Sequence, residues 1–326
     1  MTHPESSSSI AHESQYKLTE RQLSDIEAEI KSTQPLTSQP LPIVALIQQY
    51  VADPSTPAQT QQQDSQEWLE SGFLASSKLL SKKYTHLRRI RGDGNCYYRA
   101  FLYSLCEGLL KRRFHVPTDD PTDDRELKRI RTFVTNSLSW VCGLGYEETT
   151  IEMFYDELVD LLDFIDNLPT CPSSPATDSN QATRPLELQK ALDALHHKLN
   201  EENSTSDYCT WYLRVLTAAQ MKSDPDRYLP FLLADDSSSI MDIPTFCSRE
   251  VEPMNRECGM VQVAALAECF GVRVVIEYMD GSVVREKEED GSFTFKVACH
   301  EFGETKGEDR MSVSLLYRPG HYDILY

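Results

Sequence analysis

The strand-like runs of this chain crowd together after Val272, and most of what precedes them reads as helix. VRVVIEYM (272–279), SVVREK (282–287), SFTFKVA (292–298), SVSLLY (312–317) and HYDILY (321–326) are short and rich in β-branched or aromatic residues. Asp-Gly at 280–281 and 290–291 and Pro-Gly at 319–320 separate several of them. Upstream, apolar residues recur at helical spacing over 43–51, 68–83, 96–113, 124–143, 150–166, 186–200, 206–222 and 257–270. No internal repeat is present. A helix-rich front and a sheet-rich back imply an α+β protein with one main core. At 326 residues and 40% hydrophobic, the chain can bury a substantial one.

The domain reading is an N-terminal arm, 1–31, followed by a single domain over 32–326. The arm opens with a polar, Ser-rich stretch (1–13) that reads as disordered. A possible helix at 14–31 carries the stripe Leu23, Ile26 and Ile30. Two Pro/Ser/Thr/Gln-rich segments, 53–66 and 167–185, read as flexible insertions.

Charge narrows the range of partners. With 51 acidic and 32 basic residues the net charge is −19, ill suited to gripping nucleic acid or anionic lipid. A basic protein partner fits, and so does solubility alone. No apolar run approaches the ~18 residues of a membrane span. MTHPESSSSI lacks the basic and apolar regions of a secretory signal, so an intracellular, cytoplasmic protein is expected, with the nucleus also open to it. The nine cysteines are odd in number, scattered and without a Cys-x-x-Cys pair, which argues against disulfides and zinc. Cys106, Cys142 and Cys269 sit among apolar neighbours and read as buried hydrophobes.

Cys96 is different. It follows Gly92-Asp93-Gly94-Asn95 and opens a helical pattern whose core face runs through Tyr98, Phe101, Leu102, Leu105 and Leu109. The glycines allow a tight turn, and Asp93 and Asn95 are good capping types. A thiol in a helix's first turn is biased towards thiolate, and the unpaired N–H groups there can receive an oxyanion. The motif alone also suits a Gly-rich turn feeding an inert cysteine.

A thiolate nucleophile needs a base, and the base an orienting group. Of eight histidines, His3 and His12 fall in the polar tail and His196-His197 in a polar helix, while His86, His115 and His300 have no locally placed carboxylate. In HYDILY, His321 and Asp323 are two apart and project from one face of a strand. An edge histidine beside a solvated aspartate is the plain alternative.

GDGNCYYRAF (92–101) and LLYRPGHYDILY (315–326) closely resemble the two catalytic blocks of the ovarian-tumour (OTU) deubiquitinases, in their otubain branch. STSDYCTWYLRVLT (204–217), FCSREVEPM (246–254) and ALAECFGVRVVIEYMD (265–280) look otubain-like in the same order. The resemblance spans roughly 14–326 and implies a papain-like OTU fold, a helical lobe packed on a mostly antiparallel sheet. It implies Cys96 as nucleophile and His321 as general base, with Asp93 and Asp323 in the catalytic set. Strand geometry favours Asp323 as the carboxylate that orients the histidine, leaving Asp93 to support the oxyanion loop. The backbone N–H groups of Gly94, Asn95 and Cys96 are the expected oxyanion donors.

The implied reaction is hydrolysis of the isopeptide bond after ubiquitin's C-terminal glycine, with no cofactor and no metal. The implied partners are ubiquitin and polyubiquitin, lysine-48-linked chains above all. Otubain-like proteins also bind ubiquitin-charged conjugating enzymes without using the cysteine, through the N-terminal arm. The Leu23/Ile26/Ile30 stripe suits that docking and equally suits packing on the domain. Trp211 and Phe246 are candidates for a ubiquitin site, and core packing is the plainer role for each.

Overall fold

The computed structural model describes residues 22, 25–26, 28–51, 72–115, 124–168, 178–233, 241–287, 292–303 and 310–326. A short helix, α1 (28–33), leads into β1 (Leu41–Pro42), α2 (Val44–Val51), α3 (Gly72–Leu80) and β2 (His86–Arg88). Then come α4 (Cys96–His115), α5 (Asp124–Gly143), α6 (Glu148–Asn167), α7 (Asp178–Lys198), α8 (Thr205–Ser223) and α9 (Pro225–Leu233). The four-residue α10 (Ile243–Phe246) runs into a π-turn (Cys247–Val251), and α11 (Met260–Phe270) precedes β3 (Arg273–Tyr278). The chain ends with β4 (Val284–Lys287), β5 (Phe293–Lys296), β6 (Ala298–Phe302), β7 (Ser312–Arg318) and β8 (His321–Leu325).

The main sheet has the order β1-β2-β8-β7-β3-β6, and β4 and β5 form a separate ribbon. All neighbours in the main sheet are antiparallel except β3 and β7, which run parallel with Val274 beside Val313 and Ile276 beside Leu315. The excursion through β4, β5 and β6 supplies the crossover that a parallel pair requires. The fold is α+β, with a mostly antiparallel sheet.

Both faces of the sheet are covered. On one face Tyr322, Ile324, Val313 and Leu315 join the large core built by α4 to α8 and α11. On the other, Leu325, Leu316 and Leu87 meet Leu46 of α2 and Leu80 of α3. Helix α4 lies within the large core, with Tyr97, Tyr98, Phe101, Leu105, Cys106, Leu109 and Leu110 almost wholly buried. A helix packed along its length is a rigid mount for its first residue.

Several elements depart from the sequence reading. Two strands, β1 and β2, precede the expected strand region, and β2 sits between β1 and β8. The basic run from His86 to Arg91 contains β2, in which Leu87 and Arg88 are buried. Arg88 pairs with Glu107 at 3.1 Å and donates to the Ser38 carbonyl, which is how a charged strand enters an interior. Helix α7 begins at Asp178, inside the stretch expected to be loop (167–185), and holds Pro185 within it. Composition misled there because a proline removes one donor without forbidding a helix. Helices α9 and α10 and strand β6 add to the elements read from the sequence. The 53–66 insertion, the 290–291 turn, Leu23 and most of the 14–31 stretch lie outside the described residues. Ile26 is 52% exposed and Ile30 half-buried.

Candidate active site

The loop before α4 is shaped by its glycines and one carboxylate. Gly94 has φ +75°, and a Cβ there would come within 2.5 Å of the Asn255 backbone, so only glycine fits. Asp93 Oδ1 accepts the Asn95 N–H at 3.0 Å, and its Oδ2 accepts Arg99 Nη2 at 2.9 Å. The Asn95 carbonyl accepts the Arg99 N–H at 3.0 Å, closing the first helical turn. Cys96 is thus the first residue of α4 and only 3% exposed. Its N–H is one of the donors that every helix start leaves unpaired. The Asn95 N–H, expected among the oxyanion donors, is instead occupied by Asp93. Of the three expected donors, Gly94 and Cys96 keep their N–H groups without a partner among the described residues.

The second half of the site comes from the β7–β8 hairpin. Pro319 and Gly320 (φ +74°) make the turn, and Arg318 lies across from His321 in the ladder. His321 Nε2 is 3.0 Å from Asp323 Oδ1. The other ring nitrogen, Nδ1, faces Gly92, where an added Cβ would sit 3.7 Å away. The ring is also close enough to the Cys96 sulfur to interact with it. Asp323 is fully buried and saturated: Oδ1 also accepts the Ile90 N–H at 3.0 Å, and Oδ2 accepts Arg318 Nη2 at 2.6 Å.

These contacts set the charges. Burial alone would depress the His321 pKa, but the hydrogen bonds to Asp323 and Cys96 and their negative charge outweigh it, raising the pKa to about 9. Burial alone would raise Asp323, but the hydrogen bond from His321, the Arg318 guanidinium and the Ile90 N–H hold it below the usual carboxylate range. At neutral pH the His321–Asp323 pair is therefore imidazolium and carboxylate.

The structure brings His321 onto Asp323 and beside Cys96, and sets Asp93 apart, on the loop with Arg99 and Asn95. His86 bonds Thr85, His196 bonds Tyr103, and His300 packs edge-on against Tyr278. Among the described residues no group of His, Cys, Asp and Glu is placed to hold a metal ion, and no helix is long and apolar enough to cross a membrane. Sequence reasoning overlooked Arg318, Arg99, Arg214 and Asn255. Arg318, beside the Pro-Gly turn, and Arg99, three residues after Cys96, stood near enough to a candidate to be suspected.

A groove of about 480 Å³ opens beside the loop, lined by Asp93, Asn95, Glu202, Asp207, Trp211 and Met254, with Ile30 of α1 at its rim. Trp211 is not core: it is 40% exposed and leans on Phe154, with ring centroids 4.4 Å apart. Phe246 is half-buried and packs with Ile243, Cys247 and Val251.

Comparison with known proteins places this geometry in context. Residues 29–326 match the family described as Peptidase C65 Otubain. Ubiquitin thioesterase OTUB1 of Homo sapiens is 30% identical over 301 residues, 92% of this chain and 86% of that protein. The ovarian tumor domain-containing deubiquitinating enzyme 1 of Arabidopsis thaliana is 31% identical over 261 residues, 78% of this chain and 74% of that protein. Among solved structures, an OTUB1 complex with ubiquitin aldehyde and UBC13~Ub superposes with a TM-score of 0.68 at 25% identity, covering 95% of this chain and 97% of that one.

Proposed function

This chain belongs to the otubain family of C65 peptidases, and on that premise we propose that it is a cysteine-type deubiquitinase that cleaves isopeptide bonds in polyubiquitin, lysine-48-linked chains foremost. The observation that carries the reading is the His321 ring, hydrogen-bonded to Asp323 Oδ1 at 3.0 Å and close to the cysteine that starts α4.

In this mechanism the Cys96 thiolate attacks the carbonyl carbon of ubiquitin's C-terminal glycine. Negative charge moves onto the carbonyl oxygen, where the Cys96 and Gly94 N–H groups are the free donors. His321, already protonated, gives its proton to the departing lysine amine as the C–N bond breaks. Neutral His321 then takes a proton from water, which attacks the thioester; the C–S bond breaks, ubiquitin leaves with a free C-terminal carboxyl group, and the thiolate–imidazolium pair is restored. Asp323 keeps the ring oriented and stabilises its cationic form. Ubiquitin's C-terminal tail carries arginines, and a chain of net charge −19 suits a cationic strand.

The test is hydrolysis of a panel of di-ubiquitins of defined linkage. The reading expects the lysine-48-linked dimer to be cleaved fastest and Cys96→Ser to abolish cleavage. Cleavage that survives Cys96→Ser overturns the mechanism.

A second activity has its own support. OTUB1 structures have been solved with UBC13~Ub and with UBCH5B~Ub. This chain's arm ends in α1 at the groove, with Ile26 exposed. Binding and restraint of a ubiquitin-charged conjugating enzyme would persist in Cys96→Ser and be lost on removing residues 1–31.

A further inference from the structure

Arg214 lies on α8, far from Cys96 in sequence, and its side chain is completely buried. Its Nη2 donates to the Gly94 carbonyl at 2.9 Å, to Asn95 Oδ1 at 2.9 Å and to the Arg256 carbonyl at 2.7 Å. Nη1 donates to the Val251 carbonyl at 2.9 Å. One guanidinium thus ties together the cysteine loop, the 251–256 segment and α8. Its face lies over the Tyr98 ring, 4.4 Å from the centroid.

Two features of this cation are unusual. First, all its acceptors are neutral oxygens; among the described residues no carboxylate lies within ion-pairing distance of it, and its Nε–H is buried without a partner. Buried charges are normally paired, because taking a charge out of water is costly. Arg99, by contrast, holds both Asp93 and Asp207. Second, Arg214 grips a peptide that must face one way. A trans peptide points its C=O and N–H in opposite directions. With the Gly94 carbonyl on Arg214, the Asn95 N–H is turned outward onto Asp93 Oδ1, so the Gly94–Asn95 peptide is clamped at both ends. Gly94, at φ +75°, would otherwise let that peptide rotate readily.

We propose that Arg214 is a positioning residue of the peptidase site: it fixes the Gly94–Asn95 peptide so that the adjoining N–H groups stay aimed at the oxyanion, and it holds a positive charge behind the loop. No carboxylate pairs with it directly among the described residues, and the Cys96 thiolate and, in the transition state, the reacting carbonyl supply negative charge for it to balance. This assignment rests on the hydrolase reading above, and the test separates the two.

The experiment compares Arg214→Lys and Arg214→Met with wild type. A fluorogenic amide on the ubiquitin C-terminus reports kcat and KM, iodoacetamide reports Cys96 alkylation against pH by peptide mass, and thermal melting reports folding. Lysine keeps the charge but cannot span the Gly94, Val251 and Arg256 carbonyls together. The proposal expects Arg214→Lys to melt cooperatively and to lose about 10²-fold in kcat, the scale of a lost oxyanion donor, with KM within about twofold of wild type. The alkylation profile of Arg214→Lys should overlay wild type, and that of Arg214→Met should move to higher pH. A folded Arg214→Lys with kcat near wild type, or a loss confined to KM, overturns the proposal. So does an Arg214→Lys that no longer melts cooperatively, since Arg214 then serves the fold alone. If wild type itself leaves the ubiquitin amide intact, the hydrolase reading fails, and the alkylation profiles still decide whether Arg214 acts on Cys96.

Discussion

The two halves of the site are held in different ways. The histidine half is local: Arg318, His321 and Asp323 lie on one hairpin, and the added hydrogen bond comes from Ile90 on the adjoining segment. The cysteine half is distributed. Its loop is fixed by Arg214, Asn255 and, through Arg99, Asp207, each remote in sequence from Cys96. A hairpin turn with matched strands organises itself, whereas a glycine loop that reverses into a buried helix needs acceptors and donors brought from elsewhere. The cysteine half should therefore tolerate less.

Removing the base gives the largest effect. His321→Ala should lower kcat by about 10³-fold, within the range for general acid–base catalysis, while binding of ubiquitin persists; near-normal turnover would remove His321 from the mechanism. The two glycines test the asymmetry directly. At Gly94 a Cβ meets backbone at 2.5 Å, whereas at Gly320 it meets the movable end of Glu257 at 3.2 Å. Both carry the left-handed penalty of about 1–2 kcal/mol, so Gly320→Ala should cost little beyond that. Gly94→Ala should also lose about 10²-fold in kcat as the oxyanion donors shift. Equal activity in the two variants would erase the distinction.

The carboxylates come next. Asp323→Asn leaves the half-buried Arg318 without its carboxylate partner and should destabilise by about 3 kcal/mol while lowering kcat about 10²-fold. Asp93→Asn retains an oxygen for the Asn95 N–H and should cost only about tenfold. The reverse ranking would make Asp93 the orienting carboxylate.

The smallest effect is in pH. With a folded pKa near 9 against an ordinary 6.5, His321 contributes stability that is fully present below 6.5 and lost as pH rises through about 9. Asp323, held low, contributes stability present above its ordinary 3.8 and lost as pH falls below that. The alkaline limb of kcat/KM should lie near pH 9 and move to lower pH in folded Asp323→Asn, because the hydrogen bond that raised the imidazole is gone. A limb that stays in place would assign it to another group.

What could be read without coordinates follows the same division. His321 and Asp323 share a strand face, so their pairing is written in a two-residue spacing, and the α+β class follows from where the periodicity changes. Cys96 was legible as a helix start after a glycine turn. Arg214 was not: within the 206–222 helical pattern it is one arginine on a helix otherwise read for its apolar face, and nothing in spacing says that a cation turns inward. Strand β2 was hidden for the same reason, because Arg88 is charged and buried at once. Asn95 shows the opposite error, in which a correct loop assignment did not reveal that its N–H would be captured by the preceding carboxylate.

The most direct test of the central claim is covalent capture by ubiquitin bearing a C-terminal thiol-reactive electrophile, with wild type and Cys96→Ala side by side. The account predicts a wild-type adduct heavier by one ubiquitin, attached at Cys96 and absent from the variant. An adduct that persists in Cys96→Ala, or folded wild type that forms none while a control enzyme reacts, would contradict it.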